Sequence, residues 1–361
     1  MLRKGTFILM KTKIQDMTSG SPGRLIILFA IPLMLGNICQ QLYTMVDTMV
    51  VGQVAGVEAL AALGAVDFLM WVVTGISTGL TQGFSIQLSQ YYGAKDFENL
   101  RKSLAHSYRL TAFIAAGVLI LSQSFASLVL TGLHTPSNII GMSLLYLRII
   151  FCGIPATAAY NMFASALRAM GNSKTPLTAM IIASVLNVSL DILFVAGFGW
   201  GVAGAAIATV IAQSFSAVYC FLILRRIDIV HLTRADFMPA SGMNARLMKL
   251  GIPVVFQNII IGVGGLVVQY VINGYGFLFV AGFTATNKLY GLLEMAAISY
   301  GYAIVTYVGQ NLGAGKIDRI RKGVRSSMLL SLLTSLIISA AMFLFGKNIL
   351  SLFISGEPQQ T

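Results

Sequence analysis

Long apolar runs alternate with short polar connections along almost the whole chain, at 25–50, 59–88, 104–130, 140–166, 177–198, 203–224, 250–272, 279–308 and 326–346. An apolar run of about 18 or more residues is long enough to cross the ~30 Å hydrocarbon core of a bilayer as an α-helix. Lipid offers no partner to a backbone N–H or C=O, so helices are the form such runs take. The pattern predicts an all-α polytopic membrane protein in which nine transmembrane helices are present.

The polar connections fall into two classes. Of 24 Lys and Arg residues, five precede the first run, four lie in 95–109, two in 168–174, five in 225–249 and five in 316–325, whereas the alternate loops near 52–58, 131–138, 197–202 and 273–278 carry none. Basic loops stay on the cytoplasmic side, which places the N-terminus and every even loop in the cytoplasm of a multi-pass plasma-membrane protein. An internal repeat runs through the same pattern. Arg24 to Pro32 (RLIILFAIP) resembles Arg246 to Pro253 (RLMKLGIP), and the stretch from Gly93 resembles that from Gly313, at an offset of 220 to 222. Six helices per unit is an even number, so the two units enter from one side and form parallel lobes related by an axis along the membrane normal. The predicted division is a cytoplasmic tail at 1–23, a six-helix N-lobe at 24–224, a cytoplasmic linker at 225–249 and a C-lobe at 250–361. On this repeat the second lobe would need residues to about 445, so the chain is expected to hold three of its six helices.

Composition agrees with a bilayer: 57% of residues are hydrophobic, 10% are charged, and the mean hydropathy is +0.82. A net charge of +12 would suggest nucleic acid in a soluble protein, but here the basic residues are topological signals, and nucleic acid is excluded as a partner. Cys39, Cys152 and Cys220 sit apart inside apolar runs, which indicates neither disulfides nor a metal site.

Against this background an ionisable residue stands out. Asp47 lies in the second half of the first run, where desolvation disfavours its charged form. Tyr43, four residues earlier, shares its helical face. In the fifth run Asn187 and Asp191 are also four apart, with Ser184 on the same face. Two buried carboxylates repel if both ionise, so a bound cation or a shared proton is the economical way to keep them. The plain alternatives are a carboxyl that only hydrogen-bonds a neighbouring helix and, for Asp191, a residue at the membrane interface, since its helix ends soon after it.

Three stretches carry a family likeness: TMVDTMVVG followed by ALAALGA, LRAMGNSKTP at 167–176, and YVGQNLGAGK at 307–316. With the two lobes, they resemble the multidrug and toxic compound extrusion transporters over nearly the whole chain. The resemblance implies secondary active efflux of amphipathic organic cations, driven by inward flow of protons or sodium through a cavity between the lobes, with no other cofactor and a monomeric state. In the family's DinF-like branch, Asp47 matches the first-helix carboxylate, Tyr43 the tyrosine before it, and Pro32 the proline about which that helix is thought to bend. Asn187 and Asp191 match the asparagine and second carboxylate of the fifth helix, while Thr209 and Asn161 complete the polar cluster. Asp47, Asn187, Asp191 and Thr209 would equally serve as oxygen ligands for sodium. The sodium-coupled branch instead uses a carboxylate early in the seventh helix, where this chain has only Gln257, Asn258 and Gln269 as long polar side chains. Met34, Gln40, Arg148, Lys288 and Glu294 are the candidates for lining the cavity, with snorkelling to the outer surface an equal reading for Arg148.

Other chemistry is disfavoured. GQNLGAGK has five residues between its outer glycines and Ile317 after the Lys, which is not the spacing of a phosphate-binding loop. There is no nucleophile paired with a base, so the chain is not read as an enzyme. A flippase of lipid-linked sugars shares the general architecture but would need basic residues in its cavity for a pyrophosphate, and an inactive remnant is the third reading. The topology can be measured directly. In intact cells an impermeant thiol reagent is expected to label Ser137→Cys and to spare Ser241→Cys, and labelling at 241 would overturn the lobe assignment.

Overall fold

A computed structural model of the chain describes residues 14–133, 135–273 and 277–351. Ten α-helices fill it: α1 (Pro22–Val54), α2 (Val57–Gly93), α3 (Phe97–Gly132), α4 (Ile140–Cys152), α5 (Ile154–Ala169), α6 (Lys174–Asp191), α7 (Gly201–Leu224), α8 (Met243–Asn273), α9 (Phe277–Gly313) and α10 (Ile317–Ser351). A π-helical turn, Ile192–Gly197, continues α6. The nine apolar runs each become helix, with one difference. The fourth run is broken at Gly153 into α4 and α5, bent by 46°. Pro155 has no N–H to return to the Phe151 carbonyl, and Gly153 lets Val210 approach to 2.6 Å of where a Cβ would stand. Among the described residues seven helices are long and apolar enough to cross a membrane, and eight if the bent pair is one span.

The N-lobe packs α1 to α7 around small residues. Ala205, Ala206 and Ala208 of α7 are fully buried, which brings α6 and α7 close enough for their few polar groups to meet. A turn of Phe194, Phe198 and Trp200 rings, with centroids 5.1 to 6.0 Å apart, holds the α6–α7 corner.

The lobes meet along α1 and α2 on one side and α8 and α9 on the other, and the seam is built of glycine. A Cβ on Gly83 would overlap the backbone of Gly251, one on Gly93 the Gln310 carbonyl, and one on Gly313 the Gln90 carbonyl. Such contacts put backbone against backbone, the closest approach two helices make. An apolar cluster of Ile26, Phe29, Ala30 and Leu33 from α1 with Tyr300, Ala303 and Tyr307 from α9 lies beside it. The seam belongs to the end of the molecule that carries the basic loops. Beyond Asn258, whose amide donates to the Gly75 carbonyl (3.1 Å), α8 exposes Ile260, Ile261, Val267 and Val268, and Gly264 and Gly265 have nothing within 4 Å.

Two polar segments fasten the same end. Gln15–Gly20, ahead of α1, bridges the lobes: Gln15 N–H donates to Gly171 O (3.1 Å), Met17 N–H to Gln310 Oε1 (3.0 Å), and Asn311 Nδ2 to Met17 O (2.9 Å). Gln310 Nε2 also donates to Ala169 O (2.8 Å), and Arg319 donates to Gly20 O and Asn311 Oδ1. The GQNLGAGK stretch therefore serves as a junction between helices and strap. The linker, expected as a loose tether, is instead bonded to α3. Arg109 Nη1 donates to Phe237 O (2.9 Å), His106 Nε2 to Met238 O (3.0 Å), and Arg101 pairs with Asp236 at 3.7 Å. Its polar groups are satisfied by the exposed basic end of α3, so its length is taken up by contact.

Overpacking the seam tests it. Gly313→Ala is expected to lower thermal stability in detergent by about 1–3 kcal/mol, whereas Gly64→Ala, with nothing within 4 Å of its Cβ, should be neutral or slightly stabilising. Equal melting of the two variants would argue against a glycine-dependent seam.

Candidate functional site

Three helices of the N-lobe each contribute a polar pair at i and i+4: Tyr43 and Asp47 on α1, Asn187 and Asp191 on α6, Thr209 and Gln213 on α7. One-turn spacing keeps both members of a pair on one face, and the packing of α6 against α1 and α7 turns the faces toward each other. Asn187 Nδ2 donates to Thr209 Oγ1 at 3.4 Å, and Gln213 Nε2 donates to the Tyr43 hydroxyl at 3.3 Å. Asp47 is 5% exposed, and Asn187 and Asp191 are fully buried.

The donors run out before the acceptors do. Asp47 Oδ1, Asn187 Oδ1, both Asp191 carboxylate oxygens and Gln213 Oε1 are buried without a hydrogen-bond partner among the described residues. Most buried polar groups find a partner, and one left without costs roughly 1–3 kcal/mol, more if charged. Five orphaned acceptors, three of them oxygens of the two carboxylates, make a site that lacks positive charge. Asp47 and Asp191 lie within electrostatic reach of each other, so ionising both raises the cost further. Asp191 also ends the regular part of α6, and the π-turn that follows shifts the backbone ladder there, a feature often found at functional sites.

Two further groups belong to this neighbourhood. Asp67 of α2 lies within electrostatic reach of Asp47 and is itself exposed, and buried Tyr146 of α4 senses Asp47, Asp67 and Asp191. Asp67 was legible in the same way as Asp47, as a carboxyl inside an apolar run. Gln213 was legible as the i+4 neighbour of Thr209. Nothing in the sequence marks Tyr146.

The other expected residues lie elsewhere. Asn161 of α5 donates to Thr78 of α2 (3.2 Å), which ties α5 to the helix of Asp67. Pro32 is buried within the part of α1 that forms the inter-lobe cluster, and Met34 packs on that cluster. Gln40 and Glu294 are exposed, and Arg148 is exposed on a groove between α3 and α4. The side chains of Lys288 and Gln269 lie outside the described residues. Asn258 is spent on the Gly75 carbonyl across the seam.

The MatE family model matches residues 32–193 and 253–358, which takes in both lobes and every member of the cluster except Thr209 and Gln213. The chain belongs to the MatE family. Among its relatives, the probable multidrug resistance protein YpnP of Bacillus subtilis is 31% identical over 96% of this chain and 77% of its own length. The probable multidrug resistance protein YoeA of the same organism is 28% identical over 95% and 76%. In fold, this MatE chain superposes on a MOP superfamily transporter from Pyrococcus furiosus with a TM-score of 0.90 at 23% identity, covering 97% of this chain and 78% of the other. The chain is thus a multi-pass membrane protein of a multidrug efflux family.

Replacing a carboxylate by an amide should relieve the donor deficit. Asp191→Asn adds two N–H donors next to orphaned acceptors and is expected to raise thermal stability by about 1–2 kcal/mol. A melt in detergent measures it. Destabilisation of that size would mean that Asp191 has a protein partner and that the site is already balanced.

Proposed function

We propose that this chain exports amphipathic organic cations in exchange for an inward-moving cation, and that the Asp47, Asn187, Asp191 and Thr209 cluster, with Tyr43 and Gln213 as its rim, is where that cation binds. The observation that carries the reading is the set of five buried acceptor oxygens without donors, held by three helices. A proton neutralises such a site by turning a carboxylate into a donor, and sodium neutralises it by coordinating hard oxygens. The proton is the first choice, because α8 offers no carboxylate to hold sodium between the lobes.

The coupling follows from α1. Its first half, Ile26 to Leu33, is packed in the inter-lobe cluster, and its second half carries Tyr43 and Asp47. Pro32, near the end of the packed half, leaves the Leu28 carbonyl without its usual N–H, which makes it the point where the helix bends at least cost. Protonation of Asp47 removes a buried charge, so the second half moves toward the N-lobe interior and narrows the space open to cargo. The organic cation and the proton compete for neutralising the same carboxylate, and that competition makes the exchange obligatory. With the basic loops cytoplasmic, the N-terminus and the inter-lobe seam lie on the cytoplasmic side of a plasma membrane. The protein acts as a monomer, has no other cofactor and is not an enzyme.

Ethidium efflux from an efflux-deficient host tests the proposal. Wild type is expected to lose transport with a protonophore and to keep it when potassium replaces sodium. Asp47→Asn should reduce transport at least about tenfold at normal membrane abundance, because an amide fills the space but exchanges no proton. Full activity of Asp47→Asn would remove the cluster from the mechanism. A sodium-dependent rate that disappears in Asp191→Asn would assign the site to sodium.

A further inference from the structure

A second feature of the N-lobe lies on its outer flank, away from the acceptor cluster. The break at Gly153 tilts α5 away from the line of α4 and opens a groove against α3. Its upper part, ≈ 650 Å³, is bordered by Ile120, Gln123, Ser124, Arg148 and Cys152. Its lower part, ≈ 370 Å³, runs between Ala112, Ala116, Pro155, Ala159 and Phe163 and reaches Tyr108 and Phe221. The two meet at Leu119, which borders both. From Gln123 down to Tyr108, α3 covers ~22 Å at its rise per residue, longer than one leaflet's ~15 Å of hydrocarbon.

The two ends differ in chemistry. The lower part is lined almost wholly by alanine, proline and aromatic side chains. At the upper end the Gln123 amide donates to the Arg148 carbonyl (2.8 Å) and lies 3.3 Å from Cys152 Sγ, which fixes α3 against α4 beside the arginine. The Arg148 side chain is exposed, and among the described residues no carboxylate stands within the 4.0 Å of an ion pair. It lies eight residues inside α4, ~12 Å from the helix start, where an unpaired cation in lipid costs several kcal/mol or draws an anion or water to itself. A guanidinium at the head of a chain-length apolar groove is complementary to one class of molecule. It is opposed to the cargo cations, which it would repel.

We propose that this groove is a binding site for a single anionic phospholipid, with its phosphate on Arg148 and one acyl chain laid along α3 and α5 past Leu119 toward Tyr108. The lipid supplies the counter-charge that the protein does not and fills the gap left by the Gly153 bend. It thereby braces α3 against the α4–α5 pair on the side of the lobe opposite the inter-lobe seam.

The experiment places the full chain in vesicles of phosphatidylcholine doped with a trace of photoactivatable phosphatidylglycerol or photoactivatable phosphatidylcholine, each with its diazirine in the acyl chain. Cross-linked peptides are then mapped by mass spectrometry. Cross-links to 108–119 and 155–163 are expected to be about five- to tenfold richer with phosphatidylglycerol. Arg148→Gln should bring them down to the phosphatidylcholine level, Arg148→Lys should retain most of the preference, and Ala159→Phe, which fills the lower groove, should remove the chain cross-links. Arg321→Gln, exposed on α10 at the basic end, should change nothing in these peptides. Equal cross-linking by the two lipids in the wild-type protein, which needs no variant to read, would overturn the proposal. So would a phosphatidylglycerol preference that survives Arg148→Gln.

Discussion

A bilayer offers polar groups no partner, and this single constraint orders the structure. Most intramembrane hydroxyls answer it locally by donating to the carbonyl a turn earlier, as Thr44, Thr48, Thr74 and Ser184 do. Side chains with more to satisfy reach across helices, as Asn161 does to Thr78 and Asn258 to the Gly75 carbonyl. Of the buried side-chain atoms that neither answer reaches among the described residues, five lie in the Asp47 and Asp191 cluster, the others being Gln87 Oε1 and the hydroxyls of Ser103, Thr111 and Ser216. The surplus in the cluster is of acceptors, a pattern that a donor or a positive charge satisfies.

The seam between the lobes follows the opposite rule. There Gly83, Gly93, Gly251 and Gly313 let backbones touch, beside the apolar cluster of α1 and α9. Since lipid is as apolar as leucine, hydrophobic burial gives little reason for two helices to associate, and close packing has to supply it. Polar fastening is placed at the basic end, where Gln310, Asn311 and Arg319 can hold the strap ahead of α1. The contacts are strong at that end, and beyond Asn258 α8 exposes apolar faces.

Helix α1 takes part in both arrangements. Its first half is buried against α9, and its second half presents Tyr43 and Asp47 to α6 and α7. Pro32 lies inside the half that packs in the seam, eleven residues before Tyr43.

The chain by itself determined which stretches become helices and which loops are basic, because bilayer thickness and charge asymmetry act on sequence locally. It also marked Asp47, Asn187 and Asp191, since a polar group in an apolar run is conspicuous wherever it lies, and Asp67 carried the same mark. What only the tertiary structure decided is how these groups meet. That Thr209 and Gln213 face Asn187 and Tyr43 depends on the small-residue contact of α7 with α6, which no spacing within one helix encodes. Pro155 marks the break at Gly153 in the sequence, but the 46° bend and the close packing of Val210 on Gly153 are seen only in the fold. Likewise the linker composition suggested a loose tether, while its contacts with α3 come from partners more than a hundred residues away. Local sequence fixes what each segment must bury, and the packing of segments against one another decides which of those needs are met by protein and which are left for a ligand.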